Sequence, residues 1–223
     1  MPLPRVLFPA PARSGAVARR PGDGADGSGG GARGVDDAMD LPEAELRAAG
    51  LDGELFALGD GYCPSDVLVG PAERLRSILQ TRSRRLAAEG MTAAWVWGAL
   101  PMPPSVVRLC CALGSRAEGS GAGVEVRELT LRDDELRRLD GLGITSPLRT
   151  LVDIARDPRE IERGDVALRA LLDRADVSVD AALARLDHGR GLPGRRRATE
   201  RLRRLELADT SAGAAGDRRF SRC

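Results

Sequence analysis

The chain has 223 residues, 42% of them apolar and 30% charged, enough to bury a core as one ample domain or two small ones and too many for a peptide-sized scaffold. A formal charge of +1 gives the molecule no overall field for nucleic acid or an anionic membrane, so any polyanion site has to be local. All 34 basic residues are arginine, a bias that a GC-rich coding sequence accounts for, so an arginine cluster counts only where it is dense.

From Pro11 to Gly34 the chain is mostly Gly, Ala, Pro, Ser and Arg, which offer too little apolar surface to offset the entropy of ordering. Residues 1–39 are therefore expected to be a disordered leader. The apolar run Val6–Phe8 is short and is followed by Pro9 and Pro11, so it does not read as a secretion signal. No apolar run approaches the roughly 20 residues needed to cross a bilayer, and a cytoplasmic protein without a membrane partner is expected.

Asp40, with Glu43 three residues on, reads as the capping box of a short helix through Ala49 that Gly50 ends. Gly53–Leu58 and Gly61–Cys63 flank Gly59-Asp60-Gly61, which predicts a hairpin. Helix followed by ribbon is the tail end of a winged-helix pattern, assigned to residues 40–66. From Pro71 a helix is predicted to Glu89, burying Leu75, Ile78, Leu79 and Leu86, with Gly90 as its stop. Thr92 is expected to cap a second short helix, Ala93–Ala99, that sends Trp95 into the core and Trp97 elsewhere.

Ser105–Leu113 is almost continuously apolar and predicts a strand buried on both faces. Val124–Leu131 opens with strict alternation and predicts a strand with one wet face. The Gly/Ser-rich segment 114–123 between them has neither the strand-to-helix context nor the Gly-Lys-Ser/Thr of a phosphate-binding loop. Asp133, Asp134 and Glu135 precede a short helical stretch and are expected in solvent at its positive end.

The remainder reads as helical. Thr145 or Ser146 caps a helix with Pro147 in its first turn and Leu148, Leu151, Val152 and Ala155 as its apolar stripe. Glu160–Ala175 follows, with Val166, Leu168, Leu171 and Leu172 inward. Ser178 caps a third helix carrying Ala182, Leu183 and Leu186. The last, Arg195–Ala208, buries Ala198, Leu202 and Leu205, and residues 210–223 are expected to be a disordered tail.

No catalytic constellation stands out. His188 is the single histidine, Cys63, Cys110, Cys111 and Cys223 form no C-x-x-C pair and read as buried free thiols, and no G-x-S-x-G occurs. The expectation is a protein with no enzymatic activity, no cofactor and no metal. Nucleic-acid contact has better support. Between Arg190 and Arg204 seven arginines face Glu200 alone, and Arg195, Arg196, Arg197, Arg201, Arg203 and Arg204 are the candidate phosphate contacts. Arg82, Arg84 and Arg85 form a second candidate cluster, at the expected end of the helix that starts at Pro71.

Three segments carry a family likeness: GELFALGDGYCPSD; TAAWVWGALPMP; and ITSPLRTLVDIARD followed by ALRALLDRADVSVDAALARL and GRRRATERLRRLELAD. Taken together, in this order and spacing, they resemble the actinobacterial AbiEi-like antitoxin family of type IV toxin–antitoxin systems over about Leu41–Asp209. The resemblance implies a short DNA-binding winged helix followed by an α/β domain. It also implies a regulator that represses its own promoter and opposes a nucleotidyltransferase-type toxin without a stable complex.

Two departures accompany it. Between Ala49 and Glu54 there is no room for a recognition helix. The Vsr-like endonuclease domain that many such relatives add is not expected in Thr210–Cys223. The alternative is therefore an accessory remnant of a Vsr-like endonuclease-family protein that acts through a protein partner or is inactive. The expected class is α+β: a remnant winged-helix segment, then a mixed α/β domain over 67–209 with a small sheet and a helical C-terminal part.

Overall fold

The computed structural model describes residues 41–115, 121–159, 161–188 and 192–220, from 209 onward as backbone alone. The expected leader, Asp40, Arg190 and Cys223 lie outside the described residues. The chain divides into two units between Val67 and Leu68.

The first unit holds α1 (Glu43–Leu51), β1 (Leu55–Leu58) and β2 (Gly61–Pro64). Pro42 takes the N-cap position in place of Asp40, and Glu43 pairs with Arg47 one turn on at 2.5 Å. Gly50 lies inside α1 rather than ending it, because Gly53, at φ +78°, supplies the left-handed turn instead. The predicted hairpin forms, with Leu55 opposite Pro64 and Leu58 opposite Gly61 around Gly59-Asp60. Only residues 52–54 separate α1 from β1, so no further helix lies between α1 and the ribbon.

The second unit is built on a five-stranded mixed sheet of order β5-β4-β3-β7-β6. Its strands are β3 (Ala87–Ala88), β4 (Val107–Ala112), β5 (Val124–Leu129), β6 (Leu136–Leu139) and β7 (Leu142–Thr145). Its helices are α2 (Pro71–Leu79), α3 (Gly90–Val96), α4 (Pro147–Arg156), α5 (Ile161–Arg174), α6 (Val179–His188) and α7 (Arg195–Phe220). The α+β class is as expected.

The helix predicted from Pro71 to Glu89 is not continuous. α2 ends at Leu79, and Ala87–Ala88 form the central strand, antiparallel to β4 and parallel to β7. A two-residue strand shows no period, and Leu-Ala-Ala has helical propensity, so only its neighbours decide its state. Gly143 of β7 permits the close pairing, since a Cβ there would stand 2.9 Å from that of Ala87. α3 begins at Gly90 rather than after Thr92, whose hydroxyl instead accepts the Arg108 backbone N–H at 2.8 Å.

The hairpin β6–β7 also departs from the sequence reading. Asp140 and Gly141 both take positive φ, at 50° and 79°, the geometry of a two-residue type I′ turn. β5 and β6 lie on opposite edges, so residues 130–135 span the sheet, about 19 Å at the usual strand spacing. That crossing drives Glu135 into the interior at 3% exposure while Asp133 and Asp134 stay in solvent. Glu135 was expected in solvent with them; its burial follows from the crossing, which no local pattern encodes.

Among the helices, Ser146 accepts the Arg149 N–H and caps α4, with Pro147 in its first turn, and Ser178 accepts the Ala181 N–H ahead of α6. α4 packs against α3, α5, α6 and α7 and is the hub of the helical layer. In α5 the inward stripe is Gly164, Ala167, Leu168 and Leu171, and Val166, expected inside, is 56% exposed. α7 buries Ala198, Leu202 and Leu205 as expected, but continues past Ala208 to Phe220, so 210–220 are helical rather than a tail. Cys63, Cys110 and Cys111 are buried and form no disulfide among the described residues.

Trp95 is the largest fully buried side chain, its ring faced by the Arg74 guanidinium at 5.5 Å. Trp97 points away and donates from Nε1 to the Thr145 carbonyl at 2.9 Å. Replacing Trp95 by Ala is expected to cost about 3–5 kcal/mol, read from the urea midpoint, whereas a midpoint within error of wild type would remove Trp95 from the core.

Candidate nucleic-acid interface

A helix turns 100° per residue, so residues seven apart nearly eclipse. In α7 this places Arg196 and Arg203 on one stripe, directly opposite the buried Ala198, Leu202 and Leu205. Arg197 and Arg204 form a second stripe on the flank toward α4 and α5. Arg195, Arg196, Arg197, Arg203 and Arg204 are all exposed, and Arg197 and Arg203 have no ion-pair partner among the described residues. The others are partly neutralised: Arg195 by Asp187 at 2.6 Å, Arg196 by Glu200 at 3.0 Å, and Arg204 by Asp165 at 3.0 Å.

Arg201 does not belong to this surface. It is 5% exposed, pairs with Asp165, and donates to the carbonyls of Ile154 (2.9 Å) and Ile161. Its guanidinium fits because α5 carries Gly164, where any Cβ would collide with it. Arg201 therefore ties α7 to α4 and α5 and is unavailable to phosphate. Charge alone marked it; the helical phase that buries Leu202 and Leu205 also buries residue 201.

The second cluster sits in the segment after α2, not at a helix end. Arg82 turns back to donate to the Ile78 carbonyl, Arg84 lies beside Gly141 of the β6–β7 turn, and Arg85 is exposed. The structure thus leaves α7 and this segment as separate groups on separate elements.

Other arginines, not singled out by the sequence, converge beside α7. A cleft of about 330 Å³ is lined by Arg108 of β4, Arg127 of β5, Arg156 of α4, Arg159 just beyond it, and Arg197. Asp153 and Asp157 line it too, and Glu89 lies beneath, fully buried. Glu89 accepts both prongs of Arg127, at 2.5 and 2.8 Å; burial raises its pKa, opposed by that bidentate contact. Asp157 accepts from Arg108 at 2.7 Å and from Arg159 at 3.1 Å. Asp153 accepts from Arg149 at 2.8 Å and only distantly from Arg156, at 3.5 Å. Burial, and the nearby charges of Arg149, Arg127 and Arg185, push the Arg156 guanidinium below its ordinary pKa against the pull of Asp153.

Behind the cleft Arg149 joins α4 to the crossing segment, donating to Glu135 at 2.8 Å as well as to Asp153. Arg185 of α6 donates to the other oxygen of Glu135 at 2.7 Å. Burial raises the Glu135 pKa, but the hydrogen bonds from the Arg132 N–H and Arg185 and the charge of Arg149 outweigh it and hold the carboxyl below its usual range. The Cys110 thiol is pushed up to about 12 by burial and by the negative charges of Glu89 and Asp153, so it is unreactive. Among the described residues no group of three or more His, Cys, Asp or Glu side chains is placed to hold a metal ion, and no helix is long and apolar enough to cross a membrane. No protein-family model matches the chain, and no curated protein matches it in sequence.

The cleft residues escaped the sequence reading for a topological reason. Strand alternation puts Arg127 on one face of β5, but only the register Cys110↔Arg127 and Ala87↔Cys110 brings it toward Glu89. The Asp-Gly pair at 140–141 signals only the β6–β7 hairpin, at the opposite end of the sheet from the cleft.

Truncating Arg201 to Ala is expected to destabilise the fold by about 3–5 kcal/mol, because it leaves the Ile154 and Ile161 carbonyls unpaired and Asp165 held by Arg204 alone; unchanged thermal unfolding would contradict its role as a tie. Glu135 predicts an acid-side effect. Its folded pKa lies below the unfolded one, so its stabilising contribution is full above about pH 4.3 and is lost as pH falls through the folded value. Glu135→Gln should be less stable at pH 7 and lose less on acidification to pH 3. Parallel urea midpoints against pH for the two proteins would contradict this.

Proposed function

We propose that this protein is a non-enzymatic, DNA-binding regulator of the AbiEi-like antitoxin type. It recognises DNA upstream of its own gene and opposes a nucleotidyltransferase-type toxin without forming a stable complex with it. The observation that carries the DNA-binding part is the outer face of α7, where Arg196 and Arg203 stand in line, fully clear of the core, with Arg197 beside them. Guanidinium groups spaced along a helix suit the repeat of phosphates on a nucleic-acid strand, and the affinity arises from released counterions rather than from base reading. The order and spacing of the antitoxin-like segments support the regulatory part. The buried carboxylates argue for a non-enzymatic role, since Glu89, Glu135 and Asp153 are each already held by arginine.

Gel-shift titration with the duplex upstream of the gene, over a salt series, tests the reading. Wild type should bind with affinity falling steeply as salt rises, and Arg196→Glu with Arg203→Glu should weaken binding on every sequence and shallow the salt slope by about one per phosphate contact removed. Affinity that ignores both substitutions would overturn the assignment to α7.

A further inference from the structure

We propose that the cleft between α4, α7 and the β4–β5 pair binds one phosphate group, with Arg156 and Arg197 as its principal donors. The carboxylates around the cleft are already taken by other arginines. Glu89 is taken by Arg127 through both oxygens, and Asp157 is shared by Arg108 and Arg159. Asp153 gives its short contact to Arg149 and stands 3.5 Å from Arg156. No acid is left for Arg197, which lines the same cleft with no partner among the described residues. Two guanidinium groups therefore face a partly enclosed space under-neutralised, and a tetrahedral dianion with several acceptor oxygens is the group their forked donors match.

The placement is built rather than incidental. Gly194, at φ +77°, packs so closely on the end of α4 that a Cβ would stand 2.9 Å from the Arg156 carbonyl oxygen. Arg156 in turn donates from Nε to the Pro193 carbonyl at 2.9 Å, which aims the rest of its guanidinium and starts α7 where Arg197 reaches the cleft. A volume of about 330 Å³, roughly ten waters' worth, holds a phosphate together with the sugar it is attached to.

The phosphate has two chemical sources, a free 5′-mononucleotide or the backbone of a duplex, and only the second rests on the DNA-binding reading of α7. Calorimetric titration of the full chain with inorganic phosphate, a 5′-mononucleotide and a short duplex separates them. Saturable phosphate binding is expected, weakened at least about tenfold in Arg197→Ala and in Arg156→Gln. Arg197→Ala removes an exposed side chain, so its unfolding temperature should match wild type and exclude misfolding as the cause. A mononucleotide that competes with phosphate identifies the small ligand as the source; a duplex that competes identifies the backbone. Phosphate binding without duplex binding keeps the cleft and removes the DNA-binding reading. Duplex binding without phosphate saturation, or equal phosphate affinity in wild type and both variants, overturns the cleft.

Discussion

Everything in the second unit is arranged around the burial of charge on α4. Arg149, 8% exposed, sits on the hub helix, and a guanidinium taken out of water is tolerable only with full hydrogen bonding. Glu135 and Asp153 meet that demand, and Arg185 and Arg156 complete the set. The result is a chain of alternating charges from α6 through the crossing segment and α4 toward the cleft. Among the described residues every buried side-chain polar atom has a partner.

This constraint explains features that look unrelated. The crossing from β5 to β6 brings Glu135 beneath the start of α4, where its carbonyl also accepts the Ser146 N–H at 2.8 Å. The α4 cap, the crossing and the ion pair are therefore one assembly. Arg201 repeats the scheme on the far side, a buried guanidinium linking α7 to α4 and α5 in space that Gly164 leaves open. With α7 fixed by one arginine of its series, its remaining arginines are free to project. Structural and exposed arginines thus alternate by helical phase along a single basic run.

The legible parts were those with a local physical cause. The Gly59-Asp60 hairpin, the Ser146 cap with Pro147, the buried centre of β4 and the apolar face of α7 all follow from turn chemistry, capping or periodicity within about ten residues. Illegible were β3, too short to show a period, and the span of 130–135, whose path depends on which strands become edges. The candidate interface divides the same way. Arg196, Arg197 and Arg203 were found by density, while Arg108, Arg127, Arg156 and Arg159 are scattered along the chain and meet only through strand register and the docking of α4.

Sequence alone determined that this is an α+β chain with a small sheet, a helical C-terminal half and a dense arginine run, because composition, periodicity and caps act over short distances. Tertiary structure alone decided which arginines are buried ties and which face solvent, and which carboxylates are already occupied. The pairs that tie separate elements together, Arg127 with Glu89, Arg185 with Glu135 and Arg201 with Asp165, bring partners from distant points of the chain, and no short window of sequence contains both halves of any of them.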